Sequence, residues 1–449
     1  MKHLLITLLC LCPIGVQAQF EKEMHQAMDA CDYETPIERI VPASGDSVFT
    51  PLRARALKAM GRYAEALKEW NSLLKSDSAD TKVLTELGEC YRFMSRNDKA
   101  VACYGKVVEL RPENKYFRQQ HIRSLLSLED YGAARDASLA WLEEDSVSVM
   151  GYKLLGMSYE GLASSDPNAI LGAFSAYHSA YVLDSLDGQT VAHLASLFNG
   201  NEQFSDAIDI TELYRQSDTT HVDVNRQNAK AYCMMKNYQM ATNRYEVLKT
   251  MGDRSFTTLY YSGISHYGNQ WYYGSRDDLL EAHRKNPVDV NVLYYLAKSS
   301  SRTSYKKEGL EFMKEALDLV VPEDSVLVRL YEGLVECYDN YPKSDPYERI
   351  EVLKKTYTLN KKYLLFYKIA EIYEYQKDYA NAVHYYKKFM SMVPKDKQVP
   401  LDEDGKPRAG WKSKYQFAQE RIEKIKAEEF FRNGTKSQDA EKDSLAELE

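Results

Sequence analysis

Nine histidines are the first residues to weigh for metal or proton chemistry: His3, His25, His121, His178, His193, His221, His266, His283 and His384. A helix-borne zinc hydrolase needs two histidines one turn apart with a glutamate between them, and no pair here stands at i, i+4. Cysteine chemistry fares no better. Beyond the first eighteen residues the cysteines are Cys31, Cys90, Cys103, Cys233 and Cys337, an odd and sparse set without a C-x-x-C pair, which excludes a disulfide framework, a structural zinc site and a thioredoxin-like couple. A disulfide between Cys90 and Cys103 stays open, with two free thiols as the preferred reading. Glycine-rich phosphate loops and nucleophile elbows are missing. Asp402-Glu403-Asp404-Gly405 lacks the ligands that would follow in a calcium loop and reads as a solvated acidic turn. Asn433-Gly434-Thr435 is a formal glycosylation acceptor. The expectation is therefore a protein that is not an enzyme and that carries no cofactor and no metal.

Composition narrows the partners. The 449 residues carry a net charge of -8, with 44% hydrophobic and 28% charged residues, which speaks against a nucleic-acid ligand and against a polytopic membrane protein. The anomaly is 35 tyrosines against 14 phenylalanines and 4 tryptophans. At the amino terminus Lys2 and His3 precede an apolar run from Leu4 to Cys12, and Val16-Gln17-Ala18 supplies a small-residue cleavage pattern before Gln19. The run is well short of the ~20 residues that span a bilayer. Residues 1–18 thus read as a signal peptide, with the mature chain exported, periplasmic in the first instance and otherwise outer-membrane associated or secreted.

The elements that must position any site follow from an internal period. Ala66, Ala100 and Ala134 are 34 residues apart, as are Ala207, Ala241, Ser275 and Gly309. A second ladder runs through Ala54, Gly88 and Gly156 and resumes at Ala195, Ala229, Gly263 and Ala297. The step from Gly156 to Ala195 holds five extra residues, placed at Ser164-Ser165-Asp166-Pro167, and a second insertion falls at Tyr341 to Pro346. Within one period Leu84, Leu87, Gly88 and Tyr91 form one helical face, and Ala100, Tyr104 and Val107 form another. Small residues belong where the two antiparallel helices cross, because a larger side chain would push the axes beyond the ~8–10 Å of close packing.

Leu87-Gly88, Tyr91, Ala100, Tyr104 and Pro112, and again Ala370, Tyr373, Ala382, Tyr386 and Pro394, resemble the unit of the tetratricopeptide repeat (TPR) family. About ten units start near Asp46, Thr81, Lys115, Val149, Gly188, Val222, Phe256, Val290, Asp324 and Tyr363. Ile122 and Ser138 depart from the pattern in the third unit, and the ninth has no clear register. The resemblance implies an all-α fold, a right-handed α-solenoid superhelix of about ten repeats over residues 47–394. Residues 19–46 read as an amino-terminal helix and linker, 395–431 as a loop and capping helix, and 432–449 as a disordered tail. Tyr91, Tyr104, Tyr159, Tyr177, Tyr232, Tyr245, Tyr373 and Tyr386 fall on packing positions, which absorbs much of the tyrosine excess.

The resemblance also implies where a ligand would lie, along the first helix of each unit in a concave groove. In the sixth to eighth units that wall holds Arg226, Lys230, Tyr260, Ile264, Tyr267, Tyr294 and Lys298, with Tyr261 and Tyr295 adjacent. Rings and cations together suit an extended acidic or aromatic-bearing peptide, since rigid aromatic area binds at low entropic cost. The leading expectation is a protein or peptide partner and a scaffold role in envelope complex assembly, with no direct membrane span. The alternative is glycan binding by a helical protein resembling the SusD-like class, for which this nearly continuous array lacks long insertions.

Overall fold

The structure is a computed structural model that describes residues 19–40, 49–75, 77–319, 324–400 and 411–429. The expectations for the targeting segment at residues 1–18, for the acidic turn at Asp402–Gly405, for Asn433 and for the tail fall outside the described residues.

Among the described residues there is no strand, and none of their helices is long and apolar enough to cross a membrane. Two short helices lead, α1 over residues 19–29 and α2 (Glu34–Arg39). Ten helix pairs follow. The first five are α3 (Thr50–Ala59) with α4 (Tyr63–Leu74), α5 (Thr81–Phe93) with α6 (Asn97–Leu110), α7 (Lys115–Ser127) with α8 (Tyr131–Glu144), α9 (Val149–Leu162) with α10 (Ala169–Leu183), and α11 (Gly188–Gly200) with α12 (Phe204–Arg215). The second five are α13 (Val222–Met234) with α14 (Tyr238–Thr250), α15 (Phe256–Gly268) with α16 (Tyr272–Lys285), α17 (Val290–Ser301) with α18 (Lys306–Leu319), α19 (Asp324–Asn340) with α20 (Pro346–Asn360), and α21 (Leu364–Tyr375) with α22 (Tyr379–Met392). Helix α23 spans residues 414–429. The chain divides into two compact units, residues 1–227 and 228–449, and the division falls inside α13.

Six of the first helices start on a side-chain cap. Asp80, Asn114, Ser148, Asp187, Ser255 and Asp289 accept hydrogen bonds from backbone amides two or three residues on, and each such cap stabilises its helix by about 1 kcal/mol. The turn between the helices of a pair recurs as well. Ser95, Glu129, Glu202, Lys236, Gln270 and Lys377 all have φ between +56° and +62°, the left-handed conformation that ends one helix and aims the chain into the next.

At the crossing of each pair, size is complementary. A Cβ on Gly88 would stand 2.9 Å from the ring of Tyr104, and one on Gly156 would stand 2.6 Å from that of Tyr177. The third repeat exchanges the two roles, with a buried Ile122 at the glycine position and a buried Ser138 at the tyrosine position. Ser138 donates to the carbonyl of Ala134 one turn earlier, so its hydroxyl is satisfied in an apolar crossing. The departure read from the sequence is therefore a compensated swap of volume. Tyr104, Tyr177, Tyr245 and Tyr386 are fully buried, and the Tyr177 and Tyr386 hydroxyls donate to Glu160 and Glu374 at the margin of the core.

The ninth repeat is irregular for a visible reason. Helix α19 is 17 residues long, so the small-residue ladder slips to Gly333, and Asp345 and Pro346 restart the chain as cap and first turn of α20. At the carboxy-terminal end Ala418, Ile422 and Ile425 of α23 pack among Ile369, Ala370, Tyr386 and Phe389, covering an apolar face that no further repeat would bury.

Candidate functional site

The residues singled out on the first helices divide between the two compact units. Arg226 belongs to the first, where its guanidinium pairs with Asp223 one turn earlier on α13. Lys230, Tyr260, Tyr261, Ile264, Tyr267, Tyr294, Tyr295 and Lys298 belong to the second, and all eight are partly buried.

Helical spacing sets the wall of the second unit. Tyr260, Ile264 and Tyr267 follow one another at i, i+4 and i+7 along one face of α15, and Tyr294 and Lys298 stand at i, i+4 on α17. Contacts then run from helix to helix. Lys230 Nζ on α13 sits 5.7 Å from the centre of the Tyr261 ring on α15. Tyr267 meets Tyr295 of α17 edge to face at 5.7 Å, and Tyr260 with Tyr261 and Tyr294 with Tyr295 form similar pairs at 5.0 and 5.2 Å. Lys298 Nζ lies 5.4 Å from the Tyr267 ring and 5.2 Å from that of Tyr294. Interlocked rings and cations of this kind contribute about 0.5–1.5 kcal/mol each beyond burial, so the wall is stiff.

Sequence reasoning missed the second layer of this surface. Arg302, one turn beyond Lys298, stacks on Tyr267 at 5.2 Å and donates to the Tyr272 hydroxyl at 2.7 Å. Arg329 of α19 stacks on Tyr294 at 5.0 Å and donates to Asn291 Oδ1. Glu336 of α19 holds both Lys298, at 3.0 Å, and Arg302. Burial opposes the Lys298 ammonium, but Tyr294, Glu336 and Tyr267 outweigh it and hold its pKa above the ordinary lysine value, so it stays charged. Burial likewise raises the hydroxyls of Tyr260, Tyr261, Tyr267 and Tyr295, which therefore act as neutral donors. Lys230 and Arg329 are different. Among the described residues neither has a carboxylate within ion-pair distance. Tyr294 also does structural work, for a Cβ on Gly333 would stand 2.8 Å from its ring edge.

A buried ionic cluster is the other feature the sequence did not show, because its members come from three helices. His266 of α15 is 1% exposed, and its Nε2 lies 3.1 Å from Glu246 Oε1 of α14 and 3.3 Å from Asp278 Oδ2 of α16. Three such ligand atoms within 4.8 Å of one another have the spacing of a cation site. Lys249 already supplies the positive charge, with Nζ 2.8 Å from Glu246 and 2.9 Å from Asp278, while Ser262 donates to Asp278 at 2.6 Å. Burial would raise the Asp278 carboxyl, yet hydrogen bonds from His266 and Ser262 and the charge of Lys249 hold it below the ordinary carboxylate value. This arrangement is a buried network that ties the sixth repeat to the seventh. Cys90 and Cys103 are both free thiols, pushed up to about 11 by burial.

Paired helices at a 34-residue interval, small residues at the crossings and successive first helices in contact define an α-helical repeat protein. Residues 46–142 match the family model of the Psidin N-terminal TPR repeats region, and residues 364–396 match that of the tetratricopeptide repeat. Both matched models are of TPR repeats, and they lie near the two ends of the array. No curated relative matches its sequence. Among solved structures it is similar to the human IFIT1 dimer with PPP-AAAA, at 14% identity and a TM-score of 0.39 over 82% of this chain and 94% of that one. Yeast Tom70 is similar at 13% identity and a TM-score of 0.34, over 94% and 96%. The Cut9–Hcn1 hetero-tetramer of the APC/C is similar at 12% identity and a TM-score of 0.36, over 86% and 96%.

Proposed function

We propose that this chain is an exported, non-enzymatic scaffold that binds a protein or peptide partner through the first-helix wall of its sixth to eighth repeats, on the concave side of a superhelix, in the assembly of an envelope complex. TPR proteins serve as interaction scaffolds, and that role extends to this chain through its repeats. One observation carries the choice of surface. The contacts Lys230–Tyr261, Tyr267–Tyr295 and Tyr294–Arg329 join four successive first helices into one aromatic layer, edged by two cations without a carboxylate partner among the described residues. Preformed rings present apolar area without a further ordering cost, and unpaired cations favour an acidic segment of the partner.

Export rests on the reading of residues 1–18, and periplasmic location rests on export. Mass spectrometry of the chain recovered from its native envelope should find a mature amino terminus at Gln19. Affinity capture from the same extract should return a partner whose binding weakens when Tyr261 and Tyr267 are truncated together.

A further inference from the structure

We propose that a second binding site lies in the first compact unit, in a cleft between α4 and the end of α5, and that it takes an acidic peptide segment with two carboxylates about 10 Å apart. The cleft has a volume of about 440 Å³. Its floor is apolar, built from Leu67 and Met94 with the ring of Tyr91 at one side. Its rim is cationic: Lys68 and Lys75 come from α4 and its end, and Arg96 comes from the turn after α5, with no acidic residue among its lining.

These cations are available. Lys68, Lys75 and Arg96 are exposed, and among the described residues none has a carboxylate within ion-pair distance. The nearest acid of α4, Glu65, is already held by two hydrogen bonds from Arg62, at 2.7 and 2.8 Å. Lys99 adds a fourth positive charge, its Nζ 5.5 Å from the centre of the Tyr91 ring. In a chain of net charge -8, such a group of cations around one concavity has a function to answer for, since it costs self-repulsion that no ion pair among the described residues offsets.

Spacing selects the ligand. Lys68 and Lys75 are seven residues apart on one helical face, a rise of about 10.5 Å. Bringing both ammonium groups onto a single phosphate would press like charges together. Three residues of polyproline II chain make one turn and rise about 9 Å, so carboxylates at i and i+3 of such a segment share a face and meet one lysine each, and an apolar residue between them leans onto Leu67 and Met94. Arg96 closes the far side, able to take either carboxylate in a two-toothed grip. This surface belongs to the second helix of the first repeat and to the end of α5 with the turn after it, whereas the aromatic wall belongs to first helices of later repeats, so either site can fail without the other.

The test titrates the full mature chain, at low salt, with a fluorescein-labelled peptide of sequence Gly-Glu-Leu-Ser-Glu-Gly. Its Gln-Leu-Ser-Gln counterpart and inorganic pyrophosphate serve as comparisons. The wild-type chain should bind the acidic peptide, lose at least tenfold in affinity with Lys68→Glu and Lys75→Glu together, lose less with Arg96→Gln, and keep its affinity with Tyr261→Ala. All four positions are exposed or partly so, and unchanged circular dichroism and melting certify the folds. Absence of binding by the wild-type chain at 1 mM peptide (a ~4 kcal/mol threshold), equal binding of the Gln peptide, undiminished binding by the double lysine variant, or displacement by pyrophosphate as effective as by unlabelled peptide would each overturn the proposal.

Discussion

Replacing Gly309 by alanine adds one methyl group where the structure leaves no room for it. A Cβ at Gly309 would stand 2.8 Å from the carbonyl oxygen of Ala297 and 2.8 Å from the backbone nitrogen of Ser301, so α18 lies with its backbone against that of α17. No rotamer change relieves a contact with main chain; the two helices must move apart. Overpacking of this kind costs about 1–3 kcal/mol. Alanine returns up to ~1 kcal/mol of helix propensity, leaving a net loss of roughly 1–2 kcal/mol. Gly200, the last residue of α11, supplies the control, because nothing lies within 4 Å of its Cβ position and the same substitution there should gain a few tenths to ~1 kcal/mol. Urea unfolding followed by far-UV circular dichroism reads both changes. Hydrogen exchange of α17 and α18 should accompany it, since a repeat array need not unfold in one step. If Gly309→Ala proved neutral or stabilising while Gly200→Ala behaved as expected, the close approach of α17 and α18 would be refuted.

Three further outcomes are expected. Glu129 holds a left-handed backbone at φ +62°, so Glu129→Gly should raise the urea midpoint by an amount equivalent to roughly 0.5–1 kcal/mol. Asp278→Ala removes one partner from a buried ion network and should cost ~3–5 kcal/mol. Because the Asp278 carboxyl is depressed in the folded chain, its contribution is full above the ordinary carboxylate range near pH 4 and is lost as pH falls through the lower folded value. Asp278→Asn should accordingly show a shallower fall in urea midpoint than wild type on passing from pH 5 to pH 3. Cys90 and Cys103, held at about 11, should resist alkylation at pH 8 in the folded chain while the exposed Cys31 reacts, and five thiols should titrate in the denatured mature protein.

The architecture was legible because period and sterics leave the same mark. Eight of the expected starts coincide with the first residue of an observed first helix, from Thr81 to Asp324, because the pairing of small and large residues at each crossing recurs with the period. A further ladder went unread: the caps Asp80, Asn114 and Ser148, and again Asp187, Ser255 and Asp289, are spaced by 34 residues or twice that, offset only by the five-residue insertion between them, and point to helix starts directly. The exchange of Ile122 and Ser138 looked like a defect, since volume compensation across a crossing is visible only when both positions are paired. Within the wall, Tyr260, Tyr267, Tyr294 and Lys298 could be placed from helical spacing. Arg329 and Glu336 could not, because α19 is longer than its neighbours and shifts the register that would have aligned them, and Arg302 stands just past the end of α17, beyond the helical face that spacing marks out. His266 with Glu246 and Asp278 joins residues up to 32 apart on three helices, a distance over which no spacing rule operates.

The claim that the aromatic layer is the working surface meets its most direct test in the affinity of the captured partner for the mature chain, measured by titration calorimetry with Tyr261→Ala and Tyr267→Ala combined. Tyr294 is left intact because its ring packs beside Gly333, where truncation would also loosen the stack. Loss of two aromatic anchors should weaken binding by ~2 kcal/mol, about 30-fold, with melting and helicity unchanged. A double variant that keeps its fold and binds the partner with wild-type affinity would contradict the account.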